Sequence, residues 1–293
     1  MNKEILENTV SKLICKPKGI LAIDESISTC NTRFEKLGVA TTEEKRREYR
    51  ELLVTTPNIE DYVSGYILFD ETLRQSSKSG QPFPSIMKEK GLEIGIKVDK
   101  GPIDLVSSPG DKVTEGLDGL EDRLAEYRNM GASFAKWRAV YKIEGNLPSE
   151  ECMQENAVRL AKYALACQEA DIVPIVEPEV LMDGEHSIKK CNEVTSRNLD
   201  IVFTEFNKQN VYIPGILLKT NMIISGKSAP DRASAEKVAE MTVKCLKEHV
   251  PQSIGGIVFL SGGQSDEEAT ENLNAMNIVQ GLPWRLTFSY GRA

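Results

Sequence analysis

Eight short apolar runs recur along the chain, and most of them stop at polar or charged residues. They cover residues 20–23, 65–69, 93–99, 134–140, 172–180, 216–222, 256–263 and 284–291. Runs of this length, bounded by Gly, Pro and acidic turns, predict buried strands. Most are separated by segments with a 3.6-residue apolar period, over residues 117–130, 149–169, 186–207, 233–249 and 265–276, which predict helices. Thr41-Thr42-Glu43-Glu44 offers a cap and acidic first turn for a further helix reaching about residue 53. Residues 1–18 are polar and amphipathic and predict a helix or an arm.

Strands alternating with helices imply a parallel sheet. Eight of them within 293 residues imply one α/β domain over residues 1–293, a (β/α)8 TIM barrel, rather than an open doubly wound sheet. No G-x-G-x-x-G follows the first run, which removes the main support for a dinucleotide fold. No linker or low-complexity tract suggests a second domain.

The ends of these runs are unusually rich in charge. In such barrels the chemistry lies at the C-terminal ends of the strands. There the first run ends in Asp24, the third carries Lys97 and Asp99, the fourth Lys136 and Arg138, the fifth Glu177 and Glu179, and the sixth Lys219. Residues two apart on a strand share a face, which in a closed barrel can be the inside. One such pair alone reads as an exposed strand end with a surface ion pair. Lys219 alone reads as a strand-end lysine reaching water along its stem. Three pairs on consecutive runs, with a lysine on the next, are more economically a catalytic cluster. Neighbouring Lys97, Lys136 and Arg138 disfavour a further positive charge and free the Lys219 amine to attack a ketone. The resulting iminium is an electron sink for breaking the adjacent carbon–carbon bond, and nearby carboxylates can move the protons.

The last runs suggest an anion. Leu260-Ser261-Gly262-Gly263-Gln264 and Thr287-Phe288-Ser289-Tyr290-Gly291-Arg292 end the seventh and eighth. Backbone amides at glycines plus an arginine there form a common phosphate site of this fold. Arg33, beyond a hydroxyl-rich loop of Ser26, Ser28 and Thr29, could hold a second phosphate or be a surface arginine.

Composition narrows the partners. A net charge of −8 argues against a nucleic-acid or membrane surface and makes any anion site a local cluster of cations. The six scattered cysteines, with no C-x-x-C, no signal peptide and no apolar run near 18 residues, point to reduced thiols in the cytoplasm. With only two histidines, His186 and His249, a metal-centred site is poorly supported.

The stretches Gly19–Ser26, Gly95–Gly101, Phe134–Arg138, Val173–Glu179, Leu217–Lys219, Leu260–Ser265 and Phe288–Ala293 together resemble the class I fructose-bisphosphate aldolases, metal-independent enzymes of glycolysis and gluconeogenesis. The resemblance implies that Lys219 forms the Schiff base, that Glu177 shuttles protons, and that Asp24 takes the C4 hydroxyl proton. It implies that Lys136 assists carbinolamine chemistry, while Glu179, Lys97 and Arg138 orient the lysines and bind substrate. Ser261, Gly262, Ser289, Gly291 and Arg292 would hold one phosphate, with Arg33 and the Ser26 to Thr29 loop near the other. No cofactor or metal, sugar phosphates as the partners and a homotetramer are implied as well.

This chain departs from the family at Thr220, usually proline, and at Ser28-Thr29, usually Gly-Ser. Family members also continue past the position of Ala293 with a helix that closes the barrel and a tail whose terminal tyrosine aids enamine protonation. The expectation is therefore a barrel lacking that C-terminal helix and tail, less stable and slower in enamine protonation, with the flank open or covered by another subunit. Two other functions stay open: a transaldolase-like Schiff-base lyase for another keto-sugar phosphate, and a truncated homologue serving as a binding or scaffold protein. The choice between fructose 1,6-bisphosphate and fructose 1-phosphate is open too.

Overall fold

Parity along each strand decides which side chains fill the middle of the molecule and which face its helices. The computed structural model describes residues 1–292. Its strands are β1 (Gly19–Ile23), β2 (Val63–Leu68), β3 (Glu93–Lys97), β4 (Gly101–Asp104), β5 (Lys112–Glu115), β6 (Phe134–Tyr141), β7 (Val173–Val180), β8 (Leu217–Thr220), β9 (Gly256–Phe259) and β10 (Leu286–Tyr290). Eight of these, all parallel, close into a barrel in the ring order β1, β2, β3, β6, β7, β8, β9, β10. They are the eight expected runs. The remaining two, β4 and β5, form an antiparallel hairpin outside the ring. The apolar pattern does not announce β4, because Pro102, Ile103 and Asp104 are all exposed and form no apolar run.

Inside the barrel, Ile20, Ala22, Ile67, Phe134, Val173, Ile175, Leu217 and Val258 form one buried cluster. Leu6, Val10 and Leu13 of helix α1 (Lys3–Leu13) belong to the same cluster, so the N-terminal segment is a helix that plugs one mouth of the barrel. The alternate positions, among them Tyr66, Leu68, Ile94, Ile96, Trp137, Val176, Leu218, Ile257 and Phe259, pack outward into a larger core shared with the helices. Gly95 lets the interior close: a Cβ there would lie 2.3 Å from the Phe134 ring.

The outer layer comprises α2 (Ile27–Lys36), α3 (Glu43–Val54), α4 (Asp70–Leu73), α5 (Phe83–Glu89), α6 (Leu120–Asn129), α7 (Glu150–Glu169), α8 (Ile188–Lys208), α9 (Ala235–His249) and α10 (Asp266–Ile278). The expected helices are present, displaced by up to three residues at their starts. The displacement has a local cause in four of them: Ser149, Ser187, Ser234 and Ser265 stand outside their helices as caps and accept a backbone N–H from three residues on. The segment read as a hydroxyl-rich loop is corrected: Ser26 caps α2, and Ser28 and Thr29 lie in its first turn. His186, expected in a helix, precedes the α8 cap and has both ring nitrogens buried without hydrogen-bond partners. Among the described residues all six cysteines are free thiols, and no helix is long and apolar enough to cross a membrane.

Candidate active site

The inward track that is apolar near α1 becomes charged toward the opposite mouth. On β7 it runs Val173, Ile175, Glu177, Glu179; on β6, Phe134, Lys136, Arg138; on β8, Leu217, Lys219. Residue identity changes along the track while the parity does not. The barrel brings β3, β6, β7 and β8 side by side, with Lys97 paired in register to Lys136 and Arg138 to Glu177. A cleft of about 870 Å³ opens there, lined by the charged residues of these strands together with Asp24, Arg33, Ser26, Thr29, Ser261, Gly262, Ser289, Gly291 and Arg292. Every residue singled out from the sequence as a site candidate therefore faces one cleft. A groove of about 960 Å³ on the outside, between α9 and α10, is lined mainly by aliphatic surface and holds no comparable cluster.

At the floor, Lys219 Nζ lies 3.0 Å from Glu177 Oε1. Lys136 Nζ lies 2.6 Å from Asp24 Oδ2 and 3.3 Å from Glu177 Oε2. Lys136, Glu177 and Lys219 are all nearly inaccessible to solvent, at 4%, 3% and 4% exposure, so each charge depends on its partners. Burial by itself would raise the pKa values of Asp24 and Glu177. The ammonium groups of Lys136 and Lys219 outweigh it, helped by Lys97 at Asp24 and by Arg138 at Glu177, and hold both below the ordinary range. Burial would depress Lys136, but Asp24, Glu177 and Asp99 reverse this and lift it above its ordinary value. The floor is thus built from two ionised carboxylates and a firmly protonated Lys136, with Lys219 contacting a single carboxylate.

One expectation is corrected here. Lys219 does not sit among unpaired cations. Lys97 donates to Asp99 Oδ1 at 2.5 Å and to the Asp99 carbonyl at 2.7 Å, and the Arg138 guanidinium donates to Glu179. Cations and carboxylates alternate, because buried charges persist only with compensation, and spacing along the strands does not say which acid neutralises which base. Asp99 lies just past the end of β3, and sequence reasoning noted it without giving it a role. It also accepts from the backbone N–H of Gly101 and of Arg138, tying β3 to β6. The signal was its spacing of two from Lys97.

The other arc of the mouth, over β9, β10 and β1, carries hydroxyls and glycines. Ser289 is 2% exposed and its Oγ has no hydrogen-bond partner. Gly263, at φ +76°, turns the loop after β9 where a Cβ would meet Met182 at 2.4 Å. The hydroxyls of Ser26, Ser28 and Thr29 gather at the start of α2, with Ser26 Oγ 3.0 Å from each of the other two. Arg33 is ion-paired to Glu25, so it is not a free surface arginine. Ala293, the last residue of the C-terminal motif, lies outside the described residues. Neither histidine lines the cleft, and no cluster of three or more potential metal ligands occurs among the described residues.

A floor of two buried lysines and two carboxylates, with hydroxyls, glycines and arginines around its mouth, has the parts that a Schiff-base lyase of sugar phosphates needs, and comparison with known proteins points the same way. The model of the fructose-bisphosphate aldolase class-I family matches residues 5–293. A probable fructose-bisphosphate aldolase class 1 of Xanthomonas campestris is 54% identical over 293 residues, covering 100% of this chain and 88% of that protein. The cytosolic fructose-bisphosphate aldolase 4 of Arabidopsis thaliana is 52% identical over 277 residues, 94% of this chain and 70% of that one. The structure of the Plasmodium falciparum fructose-bisphosphate aldolase in complex with TRAP and a small molecule inhibitor superposes with a TM-score of 0.97 at 44% identity, over 99% of this chain and 84% of that one. With sequence and overall fold in accord along nearly its whole length, the chain belongs to the class I fructose-bisphosphate aldolase family.

Proposed function

We propose that Lys219 carries the covalent step of the family's reaction, the reversible cleavage of fructose 1,6-bisphosphate to dihydroxyacetone phosphate and glyceraldehyde 3-phosphate. The observation that carries this reading is the asymmetry of the two buried lysines. Lys136 is held between two carboxylates and stays an ammonium; Lys219 touches one carboxylate, which can take its proton.

The Lys219 amine adds to the C2 ketone to give a carbinolamine. Glu177, having taken a proton from the lysine, returns one to the departing hydroxyl, and water leaves behind an iminium. Asp24, held ionised beside Lys136, accepts the C4 hydroxyl proton. The C3–C4 bond then breaks, its electron pair moves to the iminium nitrogen as an enamine, and the aldehyde departs. Protonation at C3 and addition of water free dihydroxyacetone phosphate and the lysine. Lys136 anchors both carboxylates and stabilises charge at the carbinolamine. Lys97, Arg138 and Glu179 orient the substrate, being fixed by Asp99 and by each other. Ser261, Gly262, Ser289, Gly291 and Arg292 hold one phosphate; Ser26, Thr29 and Arg33 hold the second.

Borohydride reduction in the presence of dihydroxyacetone phosphate should give an adduct mapping to Lys219 and not to Lys136, with full activity retained in a chelator. An adduct elsewhere, or none, refutes the assignment. We further infer a cytoplasmic homotetramer; the cytosolic plant relative supports the first part and the family resemblance the second. The transaldolase-like and scaffold readings have no observation in their favour.

A further inference from the structure

Behind the hydroxyl cluster at the start of α2 lies a buried ion pair that the reaction just described does not use. Arg50, on α3, is 2% exposed. It donates from Nη1 to Glu25 Oε2 at 2.5 Å and from Nη2 to the Glu25 backbone carbonyl at 3.2 Å, holding both the side chain and the main chain of that residue. The Tyr49 ring lies 4.9 Å from its guanidinium carbon. Glu25 stands between Asp24, which meets Lys136, and Ser26, which caps α2. Its remaining oxygen, Oε1, receives Arg33. Among the described residues the Arg33 side chain makes no other hydrogen bond, which leaves its remaining N–H groups available, and 36% of it is exposed at the cleft.

We propose that Arg50 is a positioning residue for the second phosphate, acting through Glu25, and so sets the preference for doubly phosphorylated substrates. A forked guanidinium can grip a carboxylate and a carbonyl at once, whereas a lysine ammonium is a single point charge on a flexible stem. The grip fixes where α2 begins, and with it the Ser26, Ser28 and Thr29 hydroxyls, and it aims Arg33 from behind. Arg50 itself does not line the cleft. The inference rests on the assignment of Ser26, Thr29 and Arg33 to the second phosphate.

Taking the second phosphate as the one at C6, the test compares fructose 1,6-bisphosphate with fructose 1-phosphate, which lacks that group, in the full chain carrying Arg50→Lys or Glu25→Gln. For the bisphosphate we expect KM to rise about tenfold with kcat within about twofold, while kcat/KM for fructose 1-phosphate stays within about twofold. Adduct formation at Lys219 with dihydroxyacetone phosphate should be unchanged. Equal losses for both substrates or an unchanged preference in the variants that fold, or failure of both to fold, would overturn the proposal, because the pair would then serve stability alone. Ser26→Ala separates the two layers: if it also leaves the preference unchanged, the second-phosphate assignment itself fails, and if it alone alters it, only the role of Arg50 does.

Discussion

Thr220 is fully buried, and its hydroxyl meets no hydrogen-bond partner. Standing one residue past Lys219, it points away from the cleft into the layer between strand and helices, where a lone hydroxyl costs desolvation and gains nothing. Thr220→Val should therefore raise stability by about 1–2 kcal/mol in urea unfolding, with kcat unchanged; a loss of stability would show that the hydroxyl has a partner. The charged floor predicts a pH signature. Asp24 and Glu177 have depressed pKa values, so they contribute stability that is complete above the ordinary carboxylate range near pH 4 and lost as pH falls through their lower folded values. Lys136 is shifted upward, so its contribution is complete below about pH 10 and lost above it. The wild-type urea midpoint should fall as pH drops from about 7 to about 3. In Lys136→Met the two carboxylates lose their main counter-charge and favour protonation, so the midpoint should be lower at neutral pH and flat or rising toward acid. A variant that tracks the wild type would refute the coupling.

At the scale of elements, period two organises both the core and the site. Even-numbered β1 positions Ile20 and Ala22 enter the interior and lead to Asp24; the same progression joins Phe134 to Lys136 on β6 and Ile175 to Glu177 on β7. A strand that slipped by one residue would put Lys219 among the helices and Leu218 in the cleft, so core packing sets the register of the chemistry. At Gly95 the Phe134 ring occupies the space a Cβ would take. Gly95→Ala should cost about 1–3 kcal/mol in thermal or urea unfolding, because the fully buried Phe134 ring would have to shift to admit the methyl group. A cost under a few tenths would mean that the ring rearranges freely. Helix starts were less legible than strands. The α2 segment carries Ser, Thr and Asn at positions that also suit a loop, and its identity depends on Ser26 acting as a cap and on Cys30 and Phe34 being buried beneath it.

For the whole molecule, closure is the decisive event. β1 pairs with β10 through Ile20 with Ser289 and Leu21 with Tyr290, so the first and last strands share one ladder and neither half of the chain has a complete sheet. We therefore propose that the chain forms a single domain that unfolds as one unit. Calorimetry should show one transition, and sedimentation a species of about four times the 32.5 kDa chain mass; separate transitions or a monomer would refute the respective claim. The eight barrel strands and the residue types at their ends were legible in the sequence, because apolar runs and their lengths are local properties of the chain; which face turned inward was not, because these strands are buried on both faces. It takes the closed barrel to bring Lys219 to Glu177, to set Lys136 between two carboxylates, to match Lys97 and Arg138 with Asp99 and Glu179, and to let Arg50 grip Glu25 from behind. Those pairings join residues far apart in sequence, and no local pattern encodes which charge neutralises which until the barrel closes.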